Sequence, residues 1–325
     1  MKKVGIIGLG EYLPKKVLTN ADLEKMVDTS DEWITTRTGI KERRLAAENE
    51  ATSDLAVGAA KEALKDAKLD PGDLDLIIVA TITPDMPFPS VACLLQSALS
   101  AKNAVCFDIS AACAGFVYAL SIAQQFIESG TYKNALIVGA ETLSSVTDWQ
   151  DRNTCVLFGD GAAAAVLAEV KSGGILSTCL GGDGTKAELL MIPGGGSRHP
   201  VSKETIDKRM HYIKMQGNEV FKLAVNIMAE ATKVAIEKAG LEFKDIDMFV
   251  PHQANTRIIM AAAKKLGLPP EKIYLNIEKY GNMSSASCAT ALCEAVKEGK
   301  VKRGDVILLA TFGAGLVWGA SVIRW

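Results

Sequence analysis

The chain has 325 residues, 48% of them hydrophobic and 23% charged, with a formal net charge of −2. That length leaves room for two domains or one duplicated body, and the composition excludes a disordered chain. The near balance of charge excludes a global field for nucleic acid or an anionic membrane, so an acidic partner would need a local basic patch.

The opening MKKVGIIGLGEYLP mimics a signal peptide, but its apolar run stops at Glu11 and no small-residue cleavage site follows, so a first β-strand is expected. GLGEYL (8–13) begins like a dinucleotide fingerprint. Leu13 stands where a third glycine belongs and Pro14 follows, which predicts a strand-to-loop turn instead. Residues 61–80 read as an amphipathic helix, an acidic turn and a short apolar strand, and the run LIIVATIT (76–83) suits a strand covered on both faces. DISAACAGFVYAL (108–120) is a small-residue turn entering a helix, followed by a strand at ALIVGAE (135–141). Glycine-rich residues 170–186 mark a junction, and PGGG (193–196) lacks the Lys-Ser/Thr of a phosphate loop and reads as a structural loop. No apolar stretch approaches the roughly 18 residues of a membrane span.

The chain contains itself twice. Residues 233–252 repeat residues 61–80 without gaps at an offset of 172, pairing Lys61 with Lys233, Ala63 with Ala235, Asp73 with Asp245 and Asp75 with Asp247. At the same offset, SAACAGFVYAL (110–120) falls on NMSSASCATAL (282–292). Two matches in one order at one offset predict duplicated halves, 1–172 and 173–325, each alternating strands and helices. The fold class is therefore α/β, with largely parallel, buried sheets expected.

Cys93, Cys106, Cys113, Cys155, Cys179, Cys288 and Cys293 form no CxxC pair and have no histidine at ligand spacing. This points away from disulfides and zinc and toward a reducing cytoplasm. Cys113 differs from a buried filler by its place at a helix start, where free N–H groups and the dipole would lower its pKa and later hold an oxyanion. Of three histidines, His199 and His211 lie in a polar, irregular stretch with no reason to be buried. His252 follows the strand MFVP in the motif PHQAN, at the carboxyl end where α/β sites gather. Asn282 opens the duplicate of the Cys113 helix, with an N-cap as its structural role. If the halves pack about a pseudo-twofold axis, Cys113, His252 and Asn282 meet.

DISAACAGFVYAL, PHQAN, GNMSSAS, FGDGAAA (158–164) and FGAGLVWG (312–319), with DEWITTRTGI (31–40), closely resemble the β-ketoacyl-[acyl-carrier-protein] synthase III family over essentially the whole chain. The resemblance implies a duplicated thiolase-like fold in α-β-α-β-α layers. It also implies condensation of a short acyl-CoA primer with malonyl-acyl carrier protein, the first step of fatty acid synthesis, without a cofactor. Cys113 would be the nucleophile, with its own N–H and that of Ala314 as oxyanion hole; His252 and Asn282 would stabilise the malonyl-derived enolate. Trp33 and Arg152 would sandwich the adenine of CoA, Arg37 would meet its phosphates, and Asn218, Phe221 and Asn255 would line the pantetheine tunnel. Arg257, Lys264 and Lys265 would dock the acidic carrier protein. Phe88 would reach the acyl pocket of a partner in a homodimer.

Among rivals sharing this fold, elongating synthases carry a second histidine where Asn282 stands, and thiolases use a second cysteine. Hydroxymethylglutaryl-CoA synthase needs an additional glutamate where Ile82 aligns, plant-type polyketide synthases lack the PHQAN pattern, and a non-catalytic partner subunit would have lost the nucleophile.

Overall fold

The structure is a computed structural model that describes residues 2–325. Strand β1 (Val4–Tyr12) is followed by a hairpin of β2 (Lys16–Thr19) and β3 (Glu42–Leu45), which carries α1 (Asn20–Leu23) and α2 (Asp31–Thr38) between its strands. Then come α3 (Thr52–Ala67), β4 (Leu76–Ala80), α4 (Val91–Leu99), β5 (Val105–Ile109), α5 (Gly115–Glu128), β6 (Asn134–Thr142), α6 (Arg152–Cys155) and β7 (Asp160–Glu169). The remainder runs β8 (Gly174–Gly182), β9 (Leu190–Met191), α7 (Lys203–Asp207), β10 (Lys214–Met215), α8 (Gly217–Lys238), β11 (Met248–Pro251) and α9 (Thr256–Leu266). It ends with α10 (Ile277–Tyr280), α11 (Ser285–Lys297), β12 (Val306–Gly313) and β13 (Val317–Arg324).

One sheet is ordered β1-β7-β6-β4-β5 and the other β8-β13-β12-β11, the same order apart from a missing fifth strand. That fifth position survives as a single parallel bridge between Phe249 and Ile273. The repeat read in the sequence is thus visible in register: short 3₁₀ turns at Pro71–Asp73 and Phe243–Asp245 precede β4 and β11. Asp247 Oδ2 accepts the Val306 N–H at 2.8 Å, and Asp75 Oδ2 accepts the Lys133 N–H at 2.7 Å, so each acidic turn fastens the start of a strand pair.

Three apolar clusters define five layers. One packs α3 and α4 on the outer face of the first sheet; a second packs α8 and α9 on the outer face of the other. Between the sheets, α5 and α11 bury Phe116, Leu120, Cys288 and Leu292 against residues of both. The α-β-α-β-α order implied by the resemblance is therefore present. The sheets are mixed rather than largely parallel: only β4-β5, β4-β6 and β11-β12 run parallel, and β1, β7, β13 and β8 pair antiparallel. Buried antiparallel strands covered on both faces carry the same unbroken apolar runs as parallel ones, so composition does not separate the two.

GLGEYL also differs from expectation. It is continuous strand through Tyr12, not a turn. A Cβ on Gly8 would lie 2.5 Å from Ala63 O, and one on Gly10 would lie 2.3 Å from Ala59 O. These glycines let the backbone of α3 lie directly on β1. Among the described residues no helix is long and apolar enough to cross a membrane.

Candidate active site

Cys113 sits in a 3₁₀ turn, Ala112–Ala114, that abuts the first residue of α5 and follows the end of β5. Its backbone is pressed against β12, where a Cβ on Gly313 would fall 2.7 Å from the Cys113 nitrogen. Only glycine fits at that contact. Ala314 follows in the turn between β12 and β13, half-buried, so its N–H lies one residue beyond this contact. β11 pairs with β12 with Pro251 opposite Ala310, and the His252 N–H donates to Ala310 O at 2.8 Å. His252 therefore leaves its strand at the same sheet end at which Gly313 meets Cys113. Gln253 holds the exit, donating to Pro251 O and Tyr274 O and accepting the Asn276 N–H.

Asn282 is buried in an extended segment pinned on both sides to the FGDG loop: its N–H donates to Leu157 O at 2.8 Å and its carbonyl accepts the Gly159 N–H at 3.0 Å. The helix cap expected of Asn282 falls instead to Ser284, because α11 begins at Ser285. Asn282 Oδ1 accepts the Ser284 N–H at 2.8 Å, which leaves its amide nitrogen as the free donor. Ser284 Oγ faces both the Cys113 thiol and the Glu141 carboxyl without closing a well-formed hydrogen bond to either. Cys113, Ser284 and Asn282 thus form one cluster, with His252 entering from the neighbouring strand.

Electrostatics correct one expectation. Burial pushes the Cys113 thiol up to about 12; the Ser284 hydroxyl works against the rise, and a negative charge on Glu141 would add to it. Desolvation outweighs the helix start because the 3₁₀ turn sets the sulfur in a dry site. Burial holds His252 neutral, its pKa lowered to about 3, and its Nδ1 has no protein partner. The resting site therefore holds a thiol, a neutral imidazole and an amide, all uncharged. His211 differs from expectation too: its Nδ1 is buried and its ring packs 4.0 Å from that of Tyr212.

A second cluster lies at the surface between α2 and α9. The Arg37 and Arg152 guanidinium carbons stand 4.5 Å and 5.0 Å from the Trp33 ring centroid, and Arg152 also binds Asp28. A sandwiched adenine needs two stacking gaps of about 3.5 Å each. Arg152 rests on Trp33 itself and would have to swing off the ring to admit one. Asn255 caps α9 through the Arg257 N–H and donates to Arg37 O at 3.0 Å, so both ends of its amide hold α9 to α2. Arg257 lies over Phe221 at 5.6 Å, joining the expected tunnel wall to the expected docking face. Asn218 is exposed in the first turn of α8, Lys264 is exposed, and Lys265 donates to Asn226 on α8. Phe88 stands apart from both clusters, 84% exposed on the loop between β4 and α4.

Ser284 and Gly313 lie within GNMSSAS and FGAGLVWG, and Glu141 ends the run ALIVGAE, but none of the three takes a role from the sequence alone. The available signal was the offset: Ser284 is the duplicate of Ala112, beside the nucleophile candidate.

Two family models match the chain: 3-oxoacyl-[acyl-carrier-protein] synthase III over residues 107–184, and the C-terminal region of that synthase over residues 236–325. A β-ketoacyl-[acyl-carrier-protein] synthase III of Caldanaerobacter subterraneus is 62% identical, covering 99% of this chain and 97% of the relative. One from Clostridioides difficile is 58% identical, covering 99% and 98%. The crystal structure of 3-oxoacyl-[acyl-carrier-protein] synthase III from Aquifex aeolicus superposes with a TM-score of 0.93 at 54% identity, covering 99% of this chain and all of that one. Five layers, a cysteine turn facing Ser284 across the duplication and likeness along the full length agree, and the chain belongs to the β-ketoacyl-[acyl-carrier-protein] synthase III family.

Proposed function

We propose that the enzyme joins a short acyl group from acyl-CoA to malonyl-acyl carrier protein, giving 3-oxoacyl-carrier protein, CO₂ and CoA, the priming condensation of fatty acid synthesis. The observation that carries this reading is the meeting of the Cys113 turn with the Asn282–Ser284 segment across the duplicated halves.

In the first half-reaction, Cys113 Sγ attacks the thioester carbonyl of acyl-CoA. The thiol proton ends on the departing CoA sulfur, so no net proton is used. A thiol held neutral until attack keeps charge out of the site except in the transition state, where the N–H groups of Cys113 and Ala314 meet the oxyanion. In the second half-reaction malonyl-carrier protein loses CO₂, and its enolate oxygen takes hydrogen bonds from Asn282 Nδ2 and His252. The enolate carbon attacks the acyl-cysteine, and the released sulfur regains a proton from solvent. Every bond made or broken is served by these groups, so no cofactor is required.

Trp33, Arg37 and Arg152 serve the nucleotide end of CoA, and Asn218, Phe221 and Asn255 its pantetheine arm. Arg257, Lys264 and Lys265 form the carrier-protein face. A homodimer is favoured by β5, an edge strand with Val105 exposed, and by Phe88, a large apolar side chain left 84% exposed. Sedimentation showing a stable, active monomer would remove that part. The seven cysteines, all free, favour a reducing cytoplasm.

The test is the intact mass of the protein after brief exposure to acetyl-, isobutyryl- and longer acyl-CoAs, with Cys113→Ser as control. An acyl adduct lost in the control supports the reading, and the preferred acyl group names the primer. No adduct from any acyl-CoA would overturn it.

A further inference from the structure

Glu141, one residue before the end of β6, has no solvent exposure and lies inside the cluster that faces Cys113. Its Oε2 accepts three hydrogen bonds, from Thr81 Oγ1 at 3.2 Å, Ile82 N–H at 3.1 Å and Thr83 Oγ1 at 2.7 Å. Each hydroxyl also accepts a backbone N–H, Thr81 Oγ1 from Thr83 and Thr83 Oγ1 from Thr142, and gives its proton to Oε2. Oε1 meets Ser285 Oγ at 2.9 Å, and the same Oγ lies 2.8 Å from Ala80 O.

Ser285 has one proton and two oxygen neighbours. The Ala80 carbonyl only accepts, so that contact is a hydrogen bond only when Ser285 donates to it. The remaining contact is then a hydrogen bond only if Oε1 carries a proton and donates to Ser285 Oγ. An ionised Glu141 would leave two acceptors facing each other in a dry interior.

We propose that Glu141 is a positioning residue, a neutral carboxylic acid that clamps the Ser284–Ser285 turn beneath Cys113 while keeping a negative charge away from the nucleophile. It rests on Cys113 being the nucleophile. The clamp ties two carboxyl strand ends to a helix start: the β4 loop through Thr81–Thr83, β6 through Glu141 itself, and α11 through Ser285. Ser284, in left-handed backbone, is the next residue back and presents its hydroxyl to the sulfur. Burial raises the Glu141 carboxyl above its ordinary range, in the same sense as the proton count.

The surroundings leave few other charges to confuse the reading. At this end β4 and α5 are apolar and α3 presents Thr52, which hydrogen-bonds Thr142. Asp160 on β7 stands opposite Thr142 and is occupied by Ala46 and Ser144. From α11 and the residue before it come Ser284, Ser285 and Cys288, whose thiol points to Val250 O, and from the 3₁₀ turn comes Cys113.

The test compares wild type, Glu141→Gln and Glu141→Ala by Cys113 alkylation with iodoacetamide from pH 6 to 10, and by acylation with acetyl-CoA, both read as intact mass. Glutamine reproduces a protonated glutamate, accepting with its oxygen and donating with its nitrogen. The expected result is that Glu141→Gln alkylates within about threefold of wild type at neutral pH and gains on it at high pH, where only wild type acquires the opposing charge. Glu141→Ala should lose about tenfold or more in acylation, since the clamp is gone. A Gln variant about tenfold faster than wild type at pH 7 would mean the native carboxyl is already ionised, and an equally slower one would mean its charge is used; either overturns the proposal. If Glu141→Ala does not fold, the Gln comparison decides alone. If no acyl-CoA gives an adduct even in wild type, the assigned function fails, and alkylation still tests Glu141.

Discussion

Ala112 and Ser284 stand at equivalent positions of the two halves, and both hold left-handed backbone, with φ of +42° and +45°. One precedes the candidate nucleophile and the other presents its hydroxyl to it. The duplication has therefore preserved a strained turn on both sides of the axis, and such turns cost about 1–3 kcal/mol each when the residue is not glycine.

Relieving that strain at Ser284 separates stability from activity. Ser284→Gly should raise the urea midpoint by the equivalent of about 1 kcal/mol, since glycine adopts this backbone freely. It should also slow Cys113 acylation, because the hydroxyl opposing the thiol's upward shift is lost. A variant both less stable and equally fast would refute the role given to this turn.

Asn282 serves the second half-reaction. Asn282→Ala removes a donor to the enolate and should lower malonyl decarboxylation by about 10²–10³ while leaving acylation of Cys113 largely intact. Single-turnover acylation and CO₂ release, measured separately, check this. Equal loss in both would end the proposed division of labour.

His252 leaves a signature in acid. Its folded pKa is depressed to about 3 by burial, while in an unfolded chain a histidine titrates near 6.5. The unfolded state therefore gains a proton that the folded state refuses, so the stability is full above pH 6.5 and is lost as pH falls toward 3. His252→Gln should flatten the fall of the urea midpoint between pH 6 and pH 4. Parallel pH profiles for the two proteins would contradict a neutral, buried ring.

Arg257 joins two expected surfaces through its stacking on Phe221. Arg257→Glu should raise KM for malonyl-carrier protein several-fold, with the effect shrinking at high salt as exposed charges are screened. Arg257→Lys keeps the charge and weakens the stacking, so a defect confined to acyl-CoA in that variant would mark the tunnel wall. Unchanged KM in Arg257→Glu would remove the docking role.

The sequence made the large-scale design readable because the repeat at offset 172 recurs in motifs with helical and strand periodicity. Cys113, His252 and Asn282 stood out as chemically able residues at strand ends or helix starts. Strand direction was not readable, because a buried run such as LIIVA looks alike in either pairing. Gly8 and Gly10 were misread as a turn since their need arises from α3, some fifty residues away in the chain. Glu141 and the ionisation of Cys113 were hidden for a related reason: burial and hydrogen-bond direction are properties of the assembled layers, and neither leaves a local pattern.

The absence of a fifth strand from the second sheet makes the two ends of the body unlike. A duplicated body with a β5-like edge at both ends would add subunits at each end and grow into a filament. Here one end keeps a five-residue edge strand and the other has only the Phe249–Ile273 bridge. If the proposed homodimer forms by edge pairing through β5, that pairing uses up its own surface, so assembly by that route stops at two.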